Sequence, residues 1–163
     1  MSQEFQKFSI TLVAFPLILI ALPFLLIFVG FFVLIRGLYL RIWFWFKYAK
    51  NGTPVLFIYS NSPNWQTYIE ENILPAVQRQ ATVLNWSERK RWRRNELSLL
   101  KHFGGETEFN PLAIIFISFW KVKCIRFYQA FKDYKHGNDL NLKKAEKELY
   151  ETMQAGNKFQ GSA

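Results

Sequence analysis

ITLVAFPLILIALPFLLIFVGFFVLI, residues 10–35, is an uncharged run of 26 residues in which almost every side chain is apolar. At about 1.5 Å of rise per helical residue it reaches about 39 Å, more than the roughly 30 Å hydrocarbon core of a bilayer. Pro16 and Pro23 lie inside the run. They would break a soluble helix, but membrane helices tolerate proline because neighbouring groups re-satisfy the freed carbonyls. The run therefore predicts a transmembrane helix. A cleaved signal peptide would need a shorter apolar core, a basic start and a small-residue cleavage site. Here the core is long, the start balances Glu4 against Lys7, and Phe and Leu stand where cleavage would fall.

The flanks of the run carry its direction. Before it lie only Glu4 and Lys7, and after it come Arg36, Arg41, Lys47 and Lys50. Cations accumulate on the cytoplasmic side of membrane helices. The expectation is a single-pass membrane protein with the short segment 1–9 outside and the C-terminal domain in the cytoplasm. Residues 36–52, RGLYLRIWFWFKYAKNG, mix aromatic and basic side chains. Trp43, Trp45 and Tyr48 are types that settle at head-group depth, and Arg36, Arg41 and Lys47 can snorkel beside them. This segment is expected to be a helix that leaves the membrane and lies in its interface. Two crossings within 10–46 would need two helices of about 20 residues and a turn, more than the segment supplies; a re-entrant hairpin is the remaining alternative.

Composition and charge bound the rest. Half of the 163 residues are hydrophobic and 18% are aromatic, which excludes a chain disordered by composition. The net charge is +9, unevenly spread. Residues 36–101 carry eleven Lys or Arg against four Glu, a net +7, whereas 102–163 carry nine against seven, a net +2. Positive charge concentrated next to an anchor suits anionic head groups, and it also suits ordinary solubility. The single cysteine, Cys124, excludes an intrachain disulfide and a multi-cysteine zinc site.

Beyond the turn Asn51-Gly52-Thr53-Pro54, apolar runs alternate with helical periodicities. VLFIYS (55–60) predicts a buried strand, ended by Asn61-Ser62-Pro63-Asn64. Residues 65–79 predict a helix with Trp65, Tyr68, Ile69, Ile73 and Val77 on one face and a kink at Pro75. ATVLNW (81–86) predicts a second strand, and 88–103 a second helix that buries Leu97, Leu100 and Phe103 before Gly104-Gly105. LAIIFIS (112–118) predicts a third strand after Asn110-Pro111. KCIRFYQAF (123–131) predicts a fourth, with Ile125, Phe127, Gln129 and Phe131 on one face. Gly137-Asn138-Asp139 opens a last helix whose stripe is Leu142, Ala145, Leu149 and Met153. The domain is expected over 53–155, with a loose tail over 156–163.

The order β-α-β-α-β-β-α, with strand–helix–strand units expected to pair in parallel and a final hairpin, resembles the thioredoxin fold over about residues 53–153. The fold class expected is thus α/β: a transmembrane helix followed by a thioredoxin-like domain with a four-stranded mixed sheet. Asn61-Ser62-Pro63-Asn64 falls where thioredoxins place Cys-Gly-Pro-Cys, and Pro63 matches that proline. Pro111 falls where thioredoxin-like proteins carry a cis-proline, although the sequence does not give the isomer. The resemblance implies a binding groove around Asn61, Ser62, Pro63, Asn64, Asn110 and Pro111. It does not carry over redox activity, because asparagines replace both cysteines and dithiol exchange needs two thiols.

Chemistry elsewhere is sparse. Cys124 stands among Lys121, Lys123 and Arg126, cations that lower a thiol pKa, but a lone strand cysteine is more often a packing residue. His102 and His136 have no companion at metal-ligand spacing. Glu70-Glu71 and Glu106-x-Glu108 supply carboxylates of the ordinary exposed kind. No glycine-rich phosphate loop, nucleophile elbow or zinc-helix motif occurs, so neither a cofactor nor a metal is expected. The sharpest charge feature is Arg89-Lys90-Arg91-Trp92-Arg93-Arg94, five cations in six residues. Beside an anchor it points to anionic lipid or an acidic membrane partner more than to nucleic acid; a solvated helix face explains it equally well.

Two functions are weighed. The first is a membrane-tethered, non-redox thioredoxin-like binding or assembly module that contacts membrane proteins or anionic lipid. The second is an enzyme or redox-linked protein that uses the groove near Asn61 to Asn64, with Cys124 as its single thiol.

Overall fold

The computed structural model describes the backbone of residues 3–105 and 110–160 and the side chains of 19–105 and 110–156. The carboxylates expected at Glu106 and Glu108, the flanking side chains Glu4 and Lys7, and tail residues 161–163 lie outside the described residues. The chain divides into two units, Met1–Tyr39 and Leu40–Ala163.

Helix α1 spans Gln3–Lys47, running unbroken through both prolines. From Leu19 to Arg36 every side chain is exposed, as an apolar surface with no protein partner must be. Among the described residues this is the one helix long and apolar enough to cross a membrane.

The second unit begins with the last turns of α1. A 3-10 turn, Ala49–Asn51, ends at Gly52, whose φ of +80° admits few residues other than glycine. The chain then enters β1 (Val55–Tyr59). Next come α2 (Gln66–Tyr68), α3 (Leu74–Val77), β2 (Ala81–Asn85), α4 (Arg94–Leu99), β3 (Leu112–Phe116), β4 (Val122–Arg126), α5 (Tyr128–Lys135) and α6 (Leu140–Gln160). The strands form one mixed sheet in the order β2-β1-β3-β4. β1 runs parallel to β2, with Val55 opposite Ala81, and β3 and β4 form an antiparallel hairpin.

The sheet is covered on both faces, which is why β1 is buried at every residue and reads as an unbroken apolar run. Val55, Phe57 and Tyr59 share one core with Ile69, Ile73 and Val77, with Phe127 and Phe131 of the α5 region, and with Leu142, Leu149 and Met153 of α6. Leu56 and Ile58 share the other with Leu99, Leu100, Ile114 and Phe116, and with Leu40 and Phe44 from the end of α1. Phe44 stacks on Phe116 with ring centroids 4.0 Å apart.

Four sequence expectations change. First, β3 runs antiparallel to β1, Ile58 opposite Leu112, and not parallel as expected of a second strand–helix–strand unit. The reason is the connection: the expected single helix 88–103 is a 3-10 segment Trp86–Arg91, then α4, then a π-helical turn Leu100–Gly104. Trp92 and Arg93 between the pieces are extended, so no single rod carries the chain across the sheet. Second, the helix expected over 65–79 contains a π turn, Ile69–Ile73, directly before Pro75. Proline has no N–H to give an α-helical partner, and a wider turn accommodates the missing bond.

Third, β4 stops at Arg126 and residues 128–135 are helical, so Gln129 and Phe131 do not lie on a strand. Phe127 and Phe131, four apart, lie on one helical face and fill the core together. Fourth, α6 continues to Gln160, past Gly156 where the loose tail was expected to begin. Asn138 Oδ1 accepts the Leu140 N–H at 3.1 Å where this helix opens.

Candidate functional site

The turn after β1 is held by a polar knot. The Asn61 N–H donates to Ser87 Oγ at 3.1 Å, the Asn85 side-chain amide donates to Asn61 Oδ1, and the Ser87 N–H donates to Asn85 Oδ1 at 2.9 Å. Asn61 thus ties the ends of the two parallel strands together. Ser62 Oγ accepts the Asn64 N–H at 3.4 Å, and the Trp65 indole donates to Ser60 Oγ at 3.2 Å. The β1–β3 pairing ends with Ile58 opposite Leu112, so the chain leaves β1 through Tyr59 and enters β3 from Pro111 at the same end of the sheet. The Asn110–Pro111 peptide is cis. Pro111 is buried, and its carbonyl accepts the Phe127 N–H at 2.9 Å. The residues Asn61 to Asn64 and Asn110-Pro111 therefore lie at the same end of the sheet.

A cleft opens to one side of Asn64. About 280 Å³ in volume, it is lined by Asn64 and Trp65 on one wall and by Tyr128, Phe131, Lys132 and Lys135 of α5 on the other. His136 also lines it. Trp65 meets Tyr128 and Phe131 edge-on or tilted at 6.1 and 6.2 Å. An aromatic floor with lysines along one wall suits an anionic or flat ligand. The sequence concealed the α5 wall because 127–131 read as strand; the i, i+4 pair Phe127 and Phe131 was the available signal.

Cys124 is not part of that cleft. It packs with the Leu56–Phe116 core, whereas Trp65 and Phe131 belong to the opposite face. Burial pushes its thiol pKa up, against a smaller downward pull from Arg126. That is the reverse of an activated thiolate.

The basic row is exposed at all five cations, Arg89, Lys90, Arg91, Arg93 and Arg94. Trp92 is committed inward: its indole donates to the Asn85 carbonyl at 3.1 Å and its ring meets Trp86 edge-on at 5.6 Å. Arg89 lies over Trp86 at 5.0 Å, and Arg91 pairs with Glu88 at 3.5 Å in full view of solvent, a contact of little energetic weight.

The residues expected at the membrane interface divide. Arg36 and Lys47 are exposed, whereas Trp43, Trp45 and Tyr48 pack against the second core. The Tyr48 hydroxyl donates to Glu96, a carboxylate only 7% exposed, whose second oxygen accepts the Arg93 N–H at 2.8 Å. Arg41 donates to the carbonyls of Phe119 and Trp120 at 3.2 and 2.8 Å.

The remaining titratable candidates have local roles. Glu70 accepts from Tyr59 and from Gln66, both at 3.1 Å, and burial followed by that carboxylate raises the Tyr59 pKa. His102 stacks edge-on with Phe103 at 4.7 Å. No group of three or more His, Cys, Asp or Glu stands at metal-binding spacing among the described residues. No protein-family model matches the chain, and no curated protein or solved structure matches it.

Proposed function

We propose that the chain is a membrane-tethered, non-redox, thioredoxin-like binding or assembly module on the cytoplasmic face, contacting other membrane proteins or anionic lipid. The observation that carries the reading is the burial of Leu40 and Phe44, at 1% and 0% exposure. The end of the helix that holds the apolar run is itself a layer of the domain. Removing it would uncover Leu56, Ile58 and Ile114, so the end of α1 from Leu40 onward is part of the domain's core.

The sheet order, the parallel β1–β2 pair and the β3–β4 hairpin support the thioredoxin-like resemblance. The knot at Asn61 and the inert setting of Cys124 speak for binding over thiol chemistry. Five exposed cations over 89–94, with Trp92 turned inward, favour a charged surface over a base-stacking one. Mild extraction with crosslinking tests the proposal. A stoichiometric membrane partner or retained anionic lipid is the expected result; a monodisperse, lipid-free monomer counts against it.

The enzyme reading finds its support in the cleft between Asn64 and Lys135. It no longer has Cys124 within reach of that cleft, so it needs a ligand held by Trp65, Tyr128 and the α5 lysines. Chemical shift changes confined to those residues on adding an anionic aromatic compound would favour it.

A further inference from the structure

The turn between β3 and β4 has an unusual composition. Ser118 and Lys121 exchange both backbone hydrogen bonds at 3.2 Å, leaving Phe119 and Trp120 as the two residues of the loop. Two-residue hairpin loops favour Asn, Asp and Gly, which adopt the required backbone conformations without strain. Here two large aromatic side chains stand at the apex. Trp120 is 73% exposed, more than any other large apolar side chain described in the second unit. Packing does not explain it.

The loop is also held in place. Arg41 bonds the carbonyls of both apex residues, and Trp45 meets the Phe119 ring edge-on at 6.2 Å. Arg41 and Trp45, four apart on α1, face the hairpin, while Leu40 and Phe44 face the sheet. Ile42 and Phe46 point away from both and are 41% and 66% exposed. Arg41 stands six residues beyond Ile35, about 9 Å of helix. The head-group zone is about 5–8 Å deep on each side of the hydrocarbon core, and helical side chains tilt back toward the N-terminus, here toward the membrane. Lys121, beside Trp120, is exposed. A tryptophan at the water boundary with arginine and lysine on either side is the composition of an interfacial anchor.

We propose that the Phe119–Trp120 hairpin tip is a second membrane contact, with Trp120 seated in the head-group layer, Lys121 facing lipid phosphates and Arg41 holding the tip in place. The occupant is the bilayer surface beside the anchor. This rests on the reading that residues 10–35 span the membrane.

The full chain carrying Cys124→Ser and Lys121→Cys is labelled with an environment-sensitive fluorophore and placed in vesicles of equal parts phosphatidylcholine and phosphatidylglycerol. Lys132→Cys on α5 gives a matched reference. The expected result is blue-shifted emission at 121, quenched by lipids spin-labelled near the head group, with loss of both effects on Trp120→Ala and aqueous behaviour at 132. Vesicles that retain the chain through an alkaline wash, with 121 as aqueous as 132, overturn the hairpin contact and leave the anchor standing. A blue shift without lipid quenching means that protein covers the tip, and it also overturns the proposal. A chain washed off the vesicles overturns the membrane reading itself and this inference with it.

Discussion

The phenol of Tyr48 donates its hydrogen bond to Glu96, and the other oxygen of that carboxylate accepts the backbone N–H of Arg93 at 2.8 Å. One buried carboxylate thereby joins the end of α1 to the start of α4, two segments 48 residues apart in sequence. Two regions that the sequence offers as separate basic patches are linked through a half-buried tyrosine and a buried carboxylate.

Tyr48→Phe should therefore destabilise the domain. It leaves a Glu96 oxygen short of its donor, and a bond to a charged acceptor contributes about 1.5–3 kcal/mol. A lowered urea midpoint for the full chain in mild detergent, worth about 1.5 kcal/mol, is expected for this half-buried site. An unchanged midpoint would show that the pair contributes nothing.

The same contact has a pH signature. Burial, and then the bond to Glu96, hold the Tyr48 phenol above its ordinary value of 10.0. A group whose folded pKa is raised contributes stability that is complete below the unfolded pKa and is lost as pH climbs toward the folded one. Stability should fall above about pH 10, and less steeply in Tyr48→Phe. The comparison belongs in a Cys124→Ser background, because burial raises that thiol too.

Phe44 should prove as important as any strand residue. Phe44→Ala removes a ring stacked at 4.0 Å on Phe116, and large-to-small changes of this kind cost about 3–5 kcal/mol. Fragments give a second measure. A chain starting at Leu40 should show a cooperative unfolding transition, and one starting at Thr53 should not.

How much of this was legible in the sequence differs by segment. The run Val55–Tyr59 shows its burial on both faces by being short, continuous and rich in β-branched and aromatic residues, and Leu142, Leu149 and Met153 show their stripe by helical spacing. Ile125, Phe127 and Phe131 fit two. Spacing by twos reads as strand, spacing by four as helix, and only packing against Phe57 and Trp65 decides. The same ambiguity governs Leu40 and Phe44: an apolar helical face next to a membrane segment suits lipid and protein core alike. The turn residues Asn61 to Asn64 and Pro111 were placed by topology, whereas the α5 wall of the cleft depended on a helix that alternation concealed.

Cys124 should react slowly. With its pKa raised by burial, a thiol reagent at neutral pH should label it in the unfolded chain and scarcely in the folded one. Rapid labelling of the folded protein would restore the single-thiol enzyme as the better reading.

The basic row has Trp86 and Trp92 as built-in reporters. Short-chain phosphatidylglycerol added to the full chain in neutral detergent should change their fluorescence, less so at high salt. Reversal of Lys90, Arg91 and Arg94 to Glu should weaken that binding by at least about 3 kcal/mol, at about 1 kcal/mol for each cation lost. No effect of the reversal would make the row a solvated surface. Steeply salt-dependent binding of single-stranded RNA in place of lipid would assign it to nucleic acid.

Sidedness tests the central claim most directly. With Cys124→Ser as background and Lys144→Cys on the exposed side of α6 as the only thiol, intact cells are treated with a membrane-impermeant maleimide. Protection until the cells are lysed is the predicted result, and it sets the domain on the cytoplasmic face of an anchored chain. Labelling of intact cells would contradict the account, moving the domain outside and its partners with it.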